Sequence, residues 1–414
     1  MRGQYTQGWL IAGAGSRLTW SAASVRSRCF ILILLVGMFG IVLAGCTTPY
    51  RHPRLLPVDA GFSGVADAFT SADHQAVPEV DLLLVHGMGY HDESWVQTMV
   101  GQLAPALGFA WNPGTALPPA IHIANGALLY LVTLSDSTRQ LQIAAVLWSP
   151  ITSSAKKTLC YDVSQPTSLC TDPAAFSKDS RARLNAYLKS QIMDDKLADV
   201  TFYLGEEGGG LIREAVEDAM LRSLSTQQIG LAQLQAGAVA TAKSAPLFVI
   251  SESLGSKIVV DSLQDIEDDR KAVDFARDTR SHIGALFLLA NQIPILNLGA
   301  RNGSGQPDPY RHLKNFARAR SSQRASTGLR QQPLHVVAFS DPNDVFSYQL
   351  MADAIPREDA IISNVLVSND CTWLGIYEDA DTAHVDYIDT TPVAEAIAHG
   401  SAGLPKAVGA RCAR

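Results

Sequence analysis

Two short segments carry residue types suited to covalent chemistry. In Ser251-Glu252-Ser253-Leu254-Gly255, a serine has a small residue two positions away on either side, between the apolar run Leu247 to Ile250 and a helical pattern from Lys257 to Leu263. A serine on a strained strand-to-helix turn is presented for nucleophilic attack, and its neighbours must be small because the turn brings backbone too close for larger side chains. His86-Gly87-Met88-Gly89 follows the apolar run Val80 to Val85, and glycines there leave backbone N–H groups free to point into a cleft. Alone, that turn reads equally well as an ordinary tight turn, and His86 as a structural hydrogen-bonder. Gly208-Gly209-Gly210 has no Lys-Ser or Lys-Thr after it, so it reads as a turn or helix cap and not as a phosphate cradle. No Cys-x-x-Cys or His-rich spacing occurs, so no metal and no other cofactor is implied.

The elements that must position these residues are legible as alternating patterns. Continuous apolar runs of strand length fall at Val80 to Val85, Leu141 to Trp148, Leu247 to Ile250, Ala285 to Leu289 and Leu334 to Phe339. Runs that do not alternate belong to strands covered on both faces, as in a mainly parallel sheet flanked by helices. Ile212, Ala215, Val216, Ala219 and Met220 repeat at helical spacing between them, and Pro392 to Ala398 reads as a last helix. The fold class expected is therefore α/β. The 167 residues separating His86 from Ser253 exceed one crossover, implying an insertion within about 105–245 that forms a lid, a cleft wall or a packing embellishment.

Ser251-x-Ser253-x-Gly255, set between strand and helix, resembles the nucleophile turn of the α/β-hydrolase superfamily, with serine where that family usually has the first glycine. The resemblance covers about Val80 to His399 and implies an α/β-hydrolase fold with nucleophile, acid and histidine in that chain order. It assigns Ser253 as nucleophile. The acid belongs on the loop after a later strand, where Ser340-Asp341-Pro342-Asn343-Asp344 stands; Asp344 fits the family spacing better, with Asp341 as the alternative. The histidine belongs near the C-terminus, where Ala383-His384-x-x-Tyr387 resembles the family pattern and His399 is the weaker choice. The oxyanion hole would be the N–H groups of Leu254 and Met88. The implied activity is ester hydrolysis, lipid-like acyl esters foremost. The rival is a catalytically silent hydrolase-fold protein serving as an envelope binding or assembly partner.

The N-terminus reads as an address. Arg26 and Arg28 precede a 15-residue uncharged apolar stretch, Phe30 to Ala44, too short for a typical membrane span and suited to a signal peptide. Leu43-Ala44-Gly45-Cys46 resembles the lipobox of bacterial lipoproteins, which implies removal of residues 1–45, lipidation of Cys46 and a membrane anchor facing the periplasm, with Thr47 favouring the outer membrane. The long leading segment fits a translation start near Val25 as well. Residues 46–78, with four prolines and no period, read as a flexible tether, and 79–414 as the domain. An exported compartment permits disulfides, and the expected pairs are Cys160 with Cys170 and Cys371 with Cys412. Beyond residue 45 the chain has 29 basic and 40 acidic side chains, −11, which excludes a general nucleic-acid binder. One basic stretch, Arg301 to Arg330, holds seven Arg or Lys against Asp308, and reads as a solvated loop or a contact for anionic headgroups. Oligomeric state is not legible.

Overall fold

The apolar runs become neighbouring strands of one sheet. The computed structural model describes residues 53–404 apart from 57–58, 71–78, Gln165, 173–180, 269–272, 327–331, 373–375, Asp386 and Thr390. Chain contacts separate Met1–Thr48 with Thr372–Tyr377 from Pro49–Cys371 with Glu378–Arg414. The sheet and the candidate site belong to the second unit. Its strands are β1 (Arg54–Leu55), β2 (Glu79–Val85), β3 (Ile121–His122), β4 (Leu128–Ser135), β5 (Gln140–Leu147), β6 (Leu247–Glu252), β7 (Ile283–Leu289), β8 (Leu334–Ser340) and β9 (Ala360–Leu366). They lie in the order β1-β9-β8-β7-β6-β2-β5-β4-β3. The six central strands from β9 to β5 are parallel, and β1, β4 and β3 add antiparallel margins.

Both faces are covered, which explains the absence of polar alternation. Leu83, Val85, Val249, Leu286 and Val336 face one core, shared with the helices Glu206–Leu224, Leu254–Asp268 and Arg311–Ser326. Val80, Leu82, Leu84, Ile250 and Phe287 face the other, shared with Glu93–Ala106 and Thr391–His399. Because β2, β6, β7 and β8 run parallel, the loops after Val85, Glu252 and Ser340 emerge at one end of the sheet. The register opposes Val85 to Ser251 and Ser251 to Leu288, so the turn at Ser253 stands beside the turn at His86. The chain leaves β2 for β5 on one side and pairs it with β6 on the other, the kind of reversal at which α/β sheets hold ligands.

Three expectations need correction. Part of the segment read as a tether is built into the fold: β1 pairs with β9, and Phe62, Val65 and Phe69 are buried. Its prolines suggested a linker, but these three apolar residues recur at helical spacing and dock on the helix Thr391–His399. Gly208 to Gly210 lie inside the helix Glu206–Leu224, where a side chain at Gly208 would run into the carbonyl oxygen of Phe202, so glycine serves close packing and not a turn. The basic stretch is mostly the helix Arg311–Ser326. Its Arg320 is buried, donating to the carbonyls of Ile283 and Gln332, and burial lowers its pKa to about 9. Within the segment read as an insertion, β3, β4 and β5 extend the sheet, β5 being the strand expected at Leu141 to Trp148, and the part beyond Leu147 is mostly helical.

Cys160 and Cys170 form a disulfide. Cys371 is also disulfide-bonded, and its expected partner Cys412 lies outside the described residues, as do Cys46 and the stretch 30–44. No helix among the described residues is long and apolar enough to cross a membrane.

Candidate active site

Ser253 sits between β6 and the helix Leu254–Asp268 with φ +52°, a left-handed conformation that costs an L-residue about 1–2 kcal/mol. Local bonds hold it there. Its N–H donates to the carbonyl of Leu289 at 2.7 Å, and its own carbonyl accepts from the Ser256 hydroxyl at 2.6 Å. The small flanking residue at 255 has a geometric reason: a Cβ on Gly255 would lie 2.7 Å from the carbonyl oxygens of both Val85 and His86. Likewise a Cβ on Gly87 would meet that of Ser253 at 2.8 Å, which fixes how close the two turns come. Ser251 is wholly buried between its sheet neighbours.

His384, on the short helix Ala380–Val385, places Nε2 2.8 Å from Ser253 Oγ. Its Nδ1 faces Asp344 Oδ1 at 2.9 Å and Oδ2 at 3.0 Å. With Nδ1–H donating to the carboxylate, Nε2 is left as the acceptor for the serine hydroxyl. All three side chains are at most 4% exposed. Asp344 is held from two further sides, accepting the Phe346 N–H at 2.9 Å and the Tyr387 hydroxyl at 3.0 Å. Tyr387 in turn accepts the Asp341 N–H at 2.7 Å, and burial pushes its own pKa well up. The Phe346 ring packs edge-on against His384 at 5.1 Å.

Among the described residues Asp341 meets no imidazole. It accepts from Asn343 N at 2.8 Å and Asn369 N at 2.6 Å, and burial raises its pKa. It is a turn former supporting the loop that carries Asp344. His399 pairs with Glu395 at 3.6 Å on the last helix. His86 is buried; its Nε2 accepts from Trp148 N at 3.0 Å and Ser149 N at 3.2 Å, while Nδ1–H donates to Gly87 O at 2.8 Å. Burial holds its pKa well down, so it is a neutral prop wedged between the rings of Trp148 and His91.

In the turn after His86, three successive N–H groups are already used. Gly89 donates to Asp199 Oδ2 at 2.7 Å, Tyr90 to Asp195 Oδ2 at 3.3 Å and His91 to Ser149 Oγ at 2.9 Å. The Met88 N–H has no acceptor among the described residues. Leu254, as first residue of its helix, also has an N–H with no carbonyl one turn back. These are the two donors named from the sequence.

The Ser253 and His384 side chains open on a cavity of about 400 Å³ that contains Asp92, Glu252 and Asp389 in its wall and neither Lys nor Arg. Glu252 takes the Trp95 Nε1–H at 2.7 Å, and burial raises its pKa to about 7. Burial also raises Asp389, and lowers the lining His91 to about 4, leaving it uncharged. Among the described residues no group of three or more His, Cys, Asp or Glu could hold a metal ion.

Sequence reasoning missed Tyr387 as a prop of the acid, the roles of Asp195 and Asp199, and the pocket carboxylates. Only Tyr387 had a signal, its place in the Ala-His-x-x-Tyr pattern. No protein-family model matches the chain, and no curated protein matches it.

Proposed function

We propose that the protein is a serine hydrolase of the α/β-hydrolase fold that cleaves carboxylic esters through an acyl-enzyme. The observation that carries this reading is the continuous hydrogen-bonded chain from Ser253 Oγ through His384 to Asp344, at 2.8 and 2.9 Å. Ser253 Oγ attacks the carbonyl carbon as its proton passes to His384 Nε2. The carbonyl oxygen, now anionic, takes the N–H groups of Met88 and Leu254, each such donor being worth about 3–4 kcal/mol. Asp344 holds the ring through Nδ1 and stabilises the imidazolium, which then gives its proton to the leaving alkoxide. A water deprotonated by His384 releases the acid and restores Ser253.

The cavity bears on the substrate. Its size suits a short acyl or alcohol group, and its lining offers carboxyl groups and neither Lys nor Arg to pair with an anion, so neutral or cationic esters fit better than phosphate-bearing ones. A lipid-like ester would have to leave most of its chain outside. A fluorophosphonate probe should label the wild-type protein and leave Ser253→Ala unlabelled. Equal labelling of both would remove Ser253 from the mechanism, and a wild type neither labelled nor active on p-nitrophenyl esters would favour the silent binding partner.

The same reading includes a lipid anchor on Cys46 facing the periplasm, most simply on the outer membrane, supported by the sequence Leu43-Ala44-Gly45-Cys46 behind its apolar stretch. Two or three acyl chains would anchor stably where one would not. A Cys46→Ser variant should appear in the soluble fraction; full retention with membranes would count against lipidation.

A further inference from the structure

One segment touches both sides of the site. The helix Arg183–Tyr187 continues into the π-helix Leu188–Leu197 and the helix Ala198–Leu204. From it, Asp199 and Asp195 take the N–H groups of Gly89 and Tyr90, the two residues after Met88. Lys156 lies between these carboxylates, 3.1 Å from Asp199 and 2.5 Å from Asp195. On the other side, Lys196 pairs with Asp381, and the Tyr187 hydroxyl donates to the same carboxylate at 3.0 Å. Asp381 opens the helix that carries His384. Asp199 and Lys156 are almost completely buried, so their contacts are not the exchangeable ion pairs of a surface.

The geometry points to the segment 183–204 as a strap that positions both the oxyanion donor and the histidine, with Asp199 as its principal positioning residue; this rests on the hydrolase reading. By occupying the Gly89 and Tyr90 N–H groups, the strap fixes the peptide planes on the far side of Met88, whose own N–H has no acceptor among the described residues and lies on the turn packed against Ser253. Neither Asp199 nor Asp195 touches a reacting atom. Their effect is on where the N–H of another residue points. A ten-residue π-helix is an unusual solution and such segments concentrate at functional sites. Asp195 and Lys196 lie near the end of this π-helix and Asp199 in the helix that follows it.

The test compares wild type, Asp199→Asn and Asp199→Ala by rate of fluorophosphonate labelling, by kcat and KM on one p-nitrophenyl ester, and by affinity for a trifluoromethyl ketone, whose hemiketal oxyanion, formed on addition of Ser253 Oγ, needs the donor. Circular dichroism and amide exchange of the 86–91 peptide are recorded alongside. Asp199→Ala should lose about 100-fold in kcat and in ketone affinity with KM within a few-fold, and the 86–91 amides should exchange faster. Asp199→Asn, which keeps an acceptor for Gly89, should recover most of the loss and guards against an alanine variant that fails to fold. If the wild type is labelled and both variants react at its rate, the strap is overturned while the role of Ser253 stands. If the wild type is not labelled at all, both fall together.

Discussion

Replacing Gly255 with alanine sets two effects of opposite sign against each other. Gly255 is the second residue of the helix Leu254–Asp268, where alanine should gain up to about 1 kcal/mol in helix propensity. Against that, the new Cβ would sit 2.7 Å from two backbone carbonyl oxygens, those of Val85 and His86. Backbone at the end of a central strand cannot rotate away as a side chain can. The helix start or the His86 turn must shift by roughly 0.7 Å to reach ordinary contact, and overpacking of this kind costs about 1–3 kcal/mol. The clash wins: Gly255→Ala should lose about 1–2 kcal/mol net, lowering Tm by roughly 2–6 °C. The functional loss should be larger than the stability loss, because the shifted atoms carry Ser253 and Met88. A displacement approaching 1 Å in reacting groups costs up to about 100-fold in rate. Thermal unfolding gives the first quantity and the second-order rate of fluorophosphonate labelling the second. A variant as stable and as reactive as wild type would refute the close approach of the two turns, and with it the reason given for the small residue.

The two loop aspartates should separate cleanly. Asp344→Asn removes the acceptor that fixes the imidazole tautomer and should lower kcat by about 10⁴-fold, whereas Asp341→Asn keeps one of its two loop bonds and should lose less than 10-fold; steady-state kinetics on one ester decides, and the reverse order would exchange their roles. Glu252 gives a pH signature. Its pKa rises from 4.5 to about 7 on folding, so the native state holds the extra proton; stability from this group is full below about 4.5 and is lost as pH rises to about 7. Glu252→Gln keeps the Trp95 contact and should raise stability at pH 8 by up to about 3 kcal/mol with little change at pH 4, measured by urea unfolding; an equal effect at both values would contradict the assignment.

The parts of fold and site legible in the sequence are those whose chemistry is carried by single residues or single periods. Strands buried on both faces announce themselves as apolar runs, and all five runs noted became strands. The strand β9 was hidden because Ser363 and Asn364 interrupt it. Both are buried and satisfied by the very segment that read as a tether: Ser363 donates to Ala60 O at 2.7 Å, and Asn364 gives two hydrogen bonds to Asp59. Each misreading therefore concealed the other. Ser253, His384 and Asp344 could be ordered along the chain because each lies in a distinctive local setting. Asp195 and Asp199 could not, since their partners are backbone N–H groups more than a hundred residues away, and a backbone donor leaves no mark on the sequence.

The sheet order ends in β1 on one side and β3 on the other, and each is two residues long. A full-length outer strand would offer a row of unpaired N–H and C=O groups to another chain, the usual route to sheet-mediated aggregation. Here β9 is capped by β1 and β4 by β3, and Pro118 and Pro119 stand just ahead of β3 without N–H donors. Each cap covers two residues of its neighbour, Val365 and Leu366 of β9 and Leu128 and Leu129 of β4, so both edges are blunted at the end of the sheet that carries the site. Strand-to-strand growth is thereby kept away from the mouth of the site, and pairing with another chain would have to use the opposite end of β4 or β9.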